Sequence, residues 1–414
     1  MAIVKLEIEN YRSFKKLDFT LGQFNVIVGA NASGKSNIVS AFQFLRTIPP
    51  LGLRDAILTS GGGSLFKYAR AGAEPVRFSI TCVQSMVPGA REGKGDPGSG
   101  AVRATYSFSL KVGKKAGNVT VKEDRLVLEF LENEWKDVSN RRSSRSASTL
   151  TFSHGKGRVE VSETRVSKDL RITKDLGPLL DALRNTPMGN TTLLLENPLM
   201  QPLFAGPFQD LLGSSIFSIN PASTRGINID VGKPVLDITG ANLAMVLGRL
   251  LDTPVKRSRF LRIVKATLPV IEDIRPARFG NIVIFRVKER GGREYFTADS
   301  MSEGTLSTLA LIVALFFEEK SFVIIEEPER NLHPLLLSRL IDLMRDESTK
   351  RQLVITTHSP TFVEGSGLDS LCLLSRAKDG SSHLSRPADS SAVKAFLRQD
   401  IGLGTLFSRD LISS

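Results

Sequence analysis

FNVIVGANASGKSN, residues 24–37, is the stretch on which the fold turns. FNVIV reads as a short buried strand, and the run behind it packs small residues, a lysine and a serine into one turn. GANASGKS fits G-x-x-x-x-G-K-[ST], from Gly29 through Gly34 and Lys35 to Ser36. Glycines let the backbone curl so that successive N–H groups face phosphate oxygens. The following helix adds its positive end, Lys35 a point charge and Ser36 a hydroxyl for Mg²⁺. A plain Gly-Ser turn with an exposed lysine is the competing reading; a strand before the motif and a helix after it disfavour that alternative.

Such a cradle needs a carboxylate at the tip of a neighbouring buried strand, and SFVIIEEP, residues 321–328, supplies two. Adjacent side chains on a strand point apart, so they can do two jobs: Glu326 is assigned to Mg²⁺ and Glu327 to the attacking water as general base. The alternative is a solvated acidic turn, EEPER, before Pro328. TTHSP, residues 356–360, ends the strand QLVITT and puts His358 where it can reach a γ-phosphate. DSMSEGTLS, residues 299–307, opens an apolar helix, and Ser302 with Gly304 at its N-terminus forms a second anion site; simple capping by Ser302 is the bland alternative.

The 414 residues exceed one ordinary domain, and 41% hydrophobic with 24% charged residues match a globular protein rather than a disordered one. Cys82 and Cys372 stand far apart without a CxxC pair, which argues against a disulfide framework or zinc knuckle and fits a reducing cytoplasm. MAIVKLEIEN alternates like a strand and has no signal-peptide pattern, so no export is expected. The longest apolar run, Leu306 to Phe317, is too short for a bilayer and reads as a buried helix, so no membrane partner is expected. A net charge of +12 permits nucleic acid or an acidic partner without choosing between them.

The chain starts β-β-β-α: IVKLEIENY, KKLDFTL, FNVIV, then a helix from about Lys35 to Leu45. From about Val76 to Val166 a period of two recurs in VRFSITCV, RATYSFSLKV, DRLVLEFLEN and STLTFSH, the mark of antiparallel strands, with polar gaps at PGAREGKGDPGSG and NRRSSRSAS. Helical patterns follow from about Asp169 to Pro269, with no sustained heptad, so no long coiled coil is expected. NIVIFRVKERGGREYFTA reads as a hairpin with a GG turn, and the rest alternates helix and strand in the α/β manner.

Together these elements resemble the ABC-type ATPase heads of the SMC, Rad50 and RecF class, nearest the short RecF-like or OLD-like ATPases. The resemblance rests on GANASGKS, MSEGT as the signature, EEPERNLH as Walker B running into the D-loop, and TTHSP as the switch-histidine loop, in that order. It implies an α/β P-loop NTPase whose head is split, 1–75 and 270–414, around an antiparallel β arm at 76–168 and a helical insertion at 169–269. It implies ATP and Mg²⁺ as cofactors. Nucleotide contacts would come from Gly29, Asn31, Ser33, Gly34, Lys35, Ser36 and Asn37, from Arg12 in the opening strand pair, and from Ser302 and Gly304. Ser36 and Glu326 would hold the metal, and Glu327 and His358 would be catalytic. It further implies a head-to-tail homodimer with ATP sandwiched between Ser302 of one copy and the Gly29–Ser36 loop of the other. Glu326 stands where aspartate is commoner, His333 where the D-loop has aspartate, and MSEGT replaces LSGGQ, departures typical of the OLD-like branch.

Two functions fit. One is an ATPase acting on DNA, in repair or antiviral defence, through the basic clusters RRSSR (141–145), KRSRFLRIVK (256–265) and RPAR (275–278). The other is an ATP-dependent scaffold or sensor that holds and releases a separately encoded effector, a nuclease or toxin. No two aspartates lie two residues apart and few residues follow His358, so a Toprim nuclease would have to be a partner. A small-molecule kinase would need the phosphate cradle but not MSEGT or TTHSP, and a transporter ATPase would not tolerate so long an insertion between cradle and signature.

Overall fold

The computed structural model describes residues 2–85, 101–113, 118–131, 146–155, 157–165, 172–225, 228–229, 232, 235–397 and 402–409. The expected loop at 88–100 and the basic cluster at 141–145 lie outside them. The chain folds as two compact units, Met1–Gly22 with Asn37–Gly213 and Ser375–Leu384, and Gln23–Ser36 with Ser214–Leu374 and Ser385–Ser414.

The first unit is built on a seven-stranded antiparallel sheet. The alternating runs form Val76–Ser85, Ala101–Val112, Val119–Leu131, Ser146–Gly155 and Arg158–Arg165, and each pairs with the next. The opening strands Ala2–Tyr11 and Phe14–Thr20 join the same sheet, because Ala2–Tyr11 pairs with Val76–Ser85 from Ala2↔Val83 to Glu9↔Arg77. Period-two alternation announces strands without saying which of them pair, so this junction is not legible from the text. One face closes over an aromatic cluster in which Phe66 and Phe78 set their edges against Tyr11, with centroids 5.0 and 5.2 Å away. Phe78 also stacks on Phe108 at 5.3 Å. The helix expected to stop near Leu45 runs Lys35–Leu51 with Pro49 and Pro50 inside it. Buried Phe42, Phe44, Leu45 and Ile48 hold it to the sheet, and the Gly52 N–H closes it on Ile48 O at 2.8 Å.

The second unit is wound around parallel strands. Leu371–Arg376, Phe24–Val28, Gln352–Thr357, Phe322–Glu326 and Ser215–Phe217 follow one another across a six-stranded sheet. The sheet corrects the expectation that the carboxylate strand lies beside the cradle strand: Gln352–Thr357 separates them, pairing Thr357 with Val28 on one side and Thr356 with Glu326 on the other. Ser215–Phe217, in a span read as helical, is a strand beside Phe322–Glu326. Three residues are too short to show any period in the sequence. Parallel strands are covered on both faces and so are apolar throughout. FNVIV is buried at every residue, and its one amide, Asn25, donates to Leu353 O at 3.1 Å. Helix Glu303–Phe316 is buried without a break from Leu306 to Leu315, as the apolar run predicts. The hairpin strands Ile282–Glu289 and Tyr295–Thr297 pair antiparallel as read, and Gly291 in their turn takes φ +79°.

Candidate nucleotide site

The turn after FNVIV has no room for side chains at its first glycine. A Cβ on Gly29 would come within 2.3 Å of Leu374 O and 2.7 Å of Ser33 Oγ. Gly34 takes φ +110°, a value reserved for glycine, and Ala32 is held left-handed at +62°. The loop is therefore curled by design of its residues, with Asn31 exposed and Ser33 buried. Lys35 is buried and folds its ammonium back over the curl, donating to Gly29 O at 2.7 Å and Ala30 O at 3.1 Å. Burial lowers the Lys35 pKa, while the carboxylates of Glu327 and Glu329 work against that fall.

Ser36, exposed on the first turn of the helix, lies beside the Glu326 carboxylate and favours its charged form. That carboxyl is pushed up by burial and by the neighbouring Glu327, with Ser36 and Arg330 pulling the other way. The hydroxyl–carboxylate pair suits Mg²⁺, which takes one or two protein oxygens and leaves its remaining positions to phosphate and water. Among the described residues no group of three or more His, Cys, Asp or Glu side chains is arranged as a self-sufficient metal cage.

Beyond Glu326 the chain turns sharply. Glu327 is left-handed at φ +44°, with its N–H on Thr356 O at 2.8 Å. A non-glycine residue in that region costs on the order of 1 kcal/mol and persists only where its surroundings enforce it. Its carboxylate is gripped by Arg330 through Nε and Nη2, both at 2.7 Å, and its other oxygen stands 3.7 Å from His358 Nδ1. Glu327 and His358 are thus brought together just past the ends of two adjacent parallel strands.

Ser302 caps its helix, accepting from the Thr305 N–H at 3.2 Å and touching the Thr305 hydroxyl at 2.9 Å. Gly304 packs on Asn331 O, where a Cβ would sit 2.7 Å away, and Asn331 donates to Glu303 at 2.6 Å. The contacts of this turn run to the loop after Glu327. His333 caps helix Pro334–Ser348 through Nδ1.

Arg12 and Asn37 belong to the first unit. Arg12, left-handed at φ +49° in the turn between the opening strands, donates to Asn37 Oδ1 at 3.4 Å and to Ser60 O at 2.9 Å. Asn37 in turn donates to Ser13 Oγ at 2.7 Å. Sequence reading missed Ser13, Glu303, Glu329, Arg330, Asn331 and Thr357. Five of them stand inside stretches already singled out, EEPERNLH, MSEGT and TTHSP, but apart from the Arg330–Glu327 pair their contacts reach residues distant in the chain.

Two family descriptions match the chain on either side of the insertion: "AAA ATPase domain" over residues 1–53, and "AAA domain, putative AbiEii toxin, Type IV TA system" over residues 236–364. Both descriptions are of ATPase-type domains, and between them they take in the phosphate loop and the stretch from the signature turn to the histidine tip. A curated relative, the chromosome partition protein Smc of Methanocaldococcus jannaschii, is 48% identical over 46 residues, 11% of this chain and 4% of that protein's length. Two solved structures are similar at low identity. The SMC head domain from Thermotoga maritima has a TM-score of 0.43 at 14% identity, over 93% of this chain and 99% of that one. The SmcHead bound to the C-winged helix domain of ScpA has 0.45 at 16%, over 93% and 98%. The Gly29–Ser36 loop lies inside the stretch that matches the ATPase-domain description. Among the described residues no helix is long and apolar enough to cross a membrane.

Proposed function

We propose that the protein hydrolyses ATP with Mg²⁺ and that ATP gates a head-to-tail dimer. The observation that carries this reading is the placement of Ser36 beside the Glu326 carboxylate, which brings the phosphate loop to the carboxylate strand across an intervening strand. The loop N–H groups and Lys35 would hold the β- and γ-phosphates, the ammonium exchanging loop carbonyls for phosphate oxygens. Ser36 and Glu326 would hold Mg²⁺, which neutralises charge on the phosphates when bound. Glu327 would accept a proton from water as the water oxygen bonds to the γ-phosphorus and the bond to the bridging oxygen breaks. His358, beside Glu327, would stand at the γ-phosphate. In the dimer the Ser302–Gly304 turn would face the partner copy's nucleotide, its free N–H groups offering the positive end of the helix. Replacing Glu327 with Gln should leave ATP binding intact, lower kcat by about 100-fold or more and trap an ATP-bound dimer visible by sedimentation. Hydrolysis at the parental rate would remove Glu327 as the base.

DNA is the favoured partner, in repair or antiviral defence, and the three basic clusters are not equivalent as support. RPAR is neutralised: Arg275 pairs with Asp273 at 2.7 Å and Arg278 with Asp252. On helix Pro254–Thr267, by contrast, Lys256, Arg259, Arg262 and Lys265 are exposed and have no carboxylate partner among the described residues. Arg259 instead lies over the Phe317 ring at 5.4 Å. Filter binding of duplex DNA at low salt, repeated with these four residues changed to Glu, tests the helix: retention should fall steeply with salt and vanish in the variant. The toxin and Type IV TA wording of the family that matches residues 236–364 favours the second reading, a separately encoded effector held by the head. Co-purification with the product of the adjacent gene distinguishes the two.

A further inference from the structure

Glu329, two residues past Glu327, is more deeply buried than the Glu327 carboxylate. Its side chain is 8% exposed, against 21% for Glu327. One oxygen, Oε1, accepts the Thr357 hydroxyl at 2.7 Å and the His358 backbone N–H at 2.9 Å, and lies 3.3 Å from His358 Nδ1. The Thr357 hydroxyl, having donated to Glu329, accepts the Ser359 N–H at 3.0 Å. The other oxygen, Oε2, is buried without a hydrogen-bond partner among the described residues. A half-satisfied buried carboxylate costs free energy that an alanine or leucine in the same place would avoid. What it obtains in return is a fixed position for the histidine loop: three contacts on one oxygen tie the turn after Glu327 to the end of strand Gln352–Thr357.

We propose that Glu329 is a positioning residue that sets the tautomer and orientation of His358 toward Glu327. A carboxylate oxygen facing Nδ1 holds the hydrogen on that nitrogen, leaving Nε2 as the nitrogen free to meet a phosphate or water. The groups around the ring are Glu329 and Glu327, with Nδ1 3.3 and 3.7 Å from their respective oxygens. Arg330, bound to the far oxygen of Glu327, keeps that second carboxylate turned toward the ring. The catalytic consequence rests on the hydrolytic reading above; the tautomer does not.

The test compares the full-length wild type with Glu329→Ala and Glu329→Gln, using ¹⁵N-histidine correlation spectra at a pH where imidazole is neutral, with His358→Asn to assign the signal. Wild type should carry the hydrogen on Nδ1, Glu329→Ala should shift His358 toward the Nε2–H form that free histidine prefers, and Glu329→Gln, which keeps an acceptor oxygen, should restore Nδ1–H. In ATPase assays Glu329→Ala should lower kcat by about tenfold or more with KM changed less than about twofold, and Gln should recover most of the rate. An unchanged His358 tautomer in the Ala variant overturns the inference, as does a Gln variant that behaves like Ala in both measurements. If the wild type itself fails to hydrolyse ATP, the functional reading fails while the tautomer spectra still decide the role of Glu329.

Discussion

The seven-stranded and six-stranded sheets draw on the same Val, Ile, Phe and Thr and distribute their polar groups in opposite ways. In the second unit, strands Phe24–Val28, Phe322–Glu326 and Gln352–Thr357 are buried almost along their length, and the reactive groups stand at or just past their carboxyl ends. In the first unit a strand such as Ala101–Val112 alternates buried with half-buried residues, and its polar contacts are strung along the strand, as in the Thr81–Thr105 hydroxyl pair at 3.1 Å. Parallel strands deliver all their carboxyl ends to one edge, where backbone turns and helix N-termini converge; antiparallel strands alternate direction and cannot. The concentration of chemistry is therefore a consequence of strand direction, since residue composition is shared by both sheets.

The contrast can be broken in graded ways. The largest effect belongs to the parallel edge: Lys35→Ala should weaken ATP binding by about 100-fold or more, the scale of lost charge-assisted hydrogen bonds, in a fluorescent-nucleotide titration. Binding unchanged by that substitution would mean the Gly29–Ser36 curl does not hold phosphate. Next, Ile325→Ala, at a position with no exposure on either face, should cost about 2–5 kcal/mol in urea unfolding. A cost below about 1 kcal/mol would mean the parallel core repacks more freely than its burial suggests.

The antiparallel sheet offers a pH-dependent probe. Asp124 is buried, its Oδ2 accepting the Leu194 N–H at 2.6 Å, and burial pushes its carboxyl up to about 7 despite that bond. The folded state then holds a proton that the unfolded state releases, so stability should fall as pH climbs from 3.8 to about 7. Asp124→Asn should flatten that slope, recovering on the order of 1–4 kcal/mol at the alkaline end; parallel slopes in both proteins would overturn the assignment. The smallest change is Thr105→Ala on the same sheet, which removes one half-buried hydroxyl contact and should cost about 0.5–1.5 kcal/mol with no effect on nucleotide binding.

Cysteine usage is read the same way in sequence and structure: Cys82 and Cys372 are both buried and free, and burial raises both thiols, Cys372 to about 11. Neither is poised for redox chemistry.

The sequence alone was sufficient for whatever depends on neighbours in the chain. The curl at Gly29–Ser36, the apolar run into Glu326 and Glu327, the cap at Ser302 and the tip at His358 are each complete within ten residues, because glycine geometry, strand burial and helix capping are local properties. The strand order was decided only in three dimensions: Gln352–Thr357 enters between two strands far from it in sequence, and Ser215–Phe217 is too short to declare itself. So were the partners of Glu329, Asn331 and Arg12. Side-chain hydrogen bonds are short-ranged in space but blind to separation along the chain, and only the folded backbone determines which distant residues come within reach of one another.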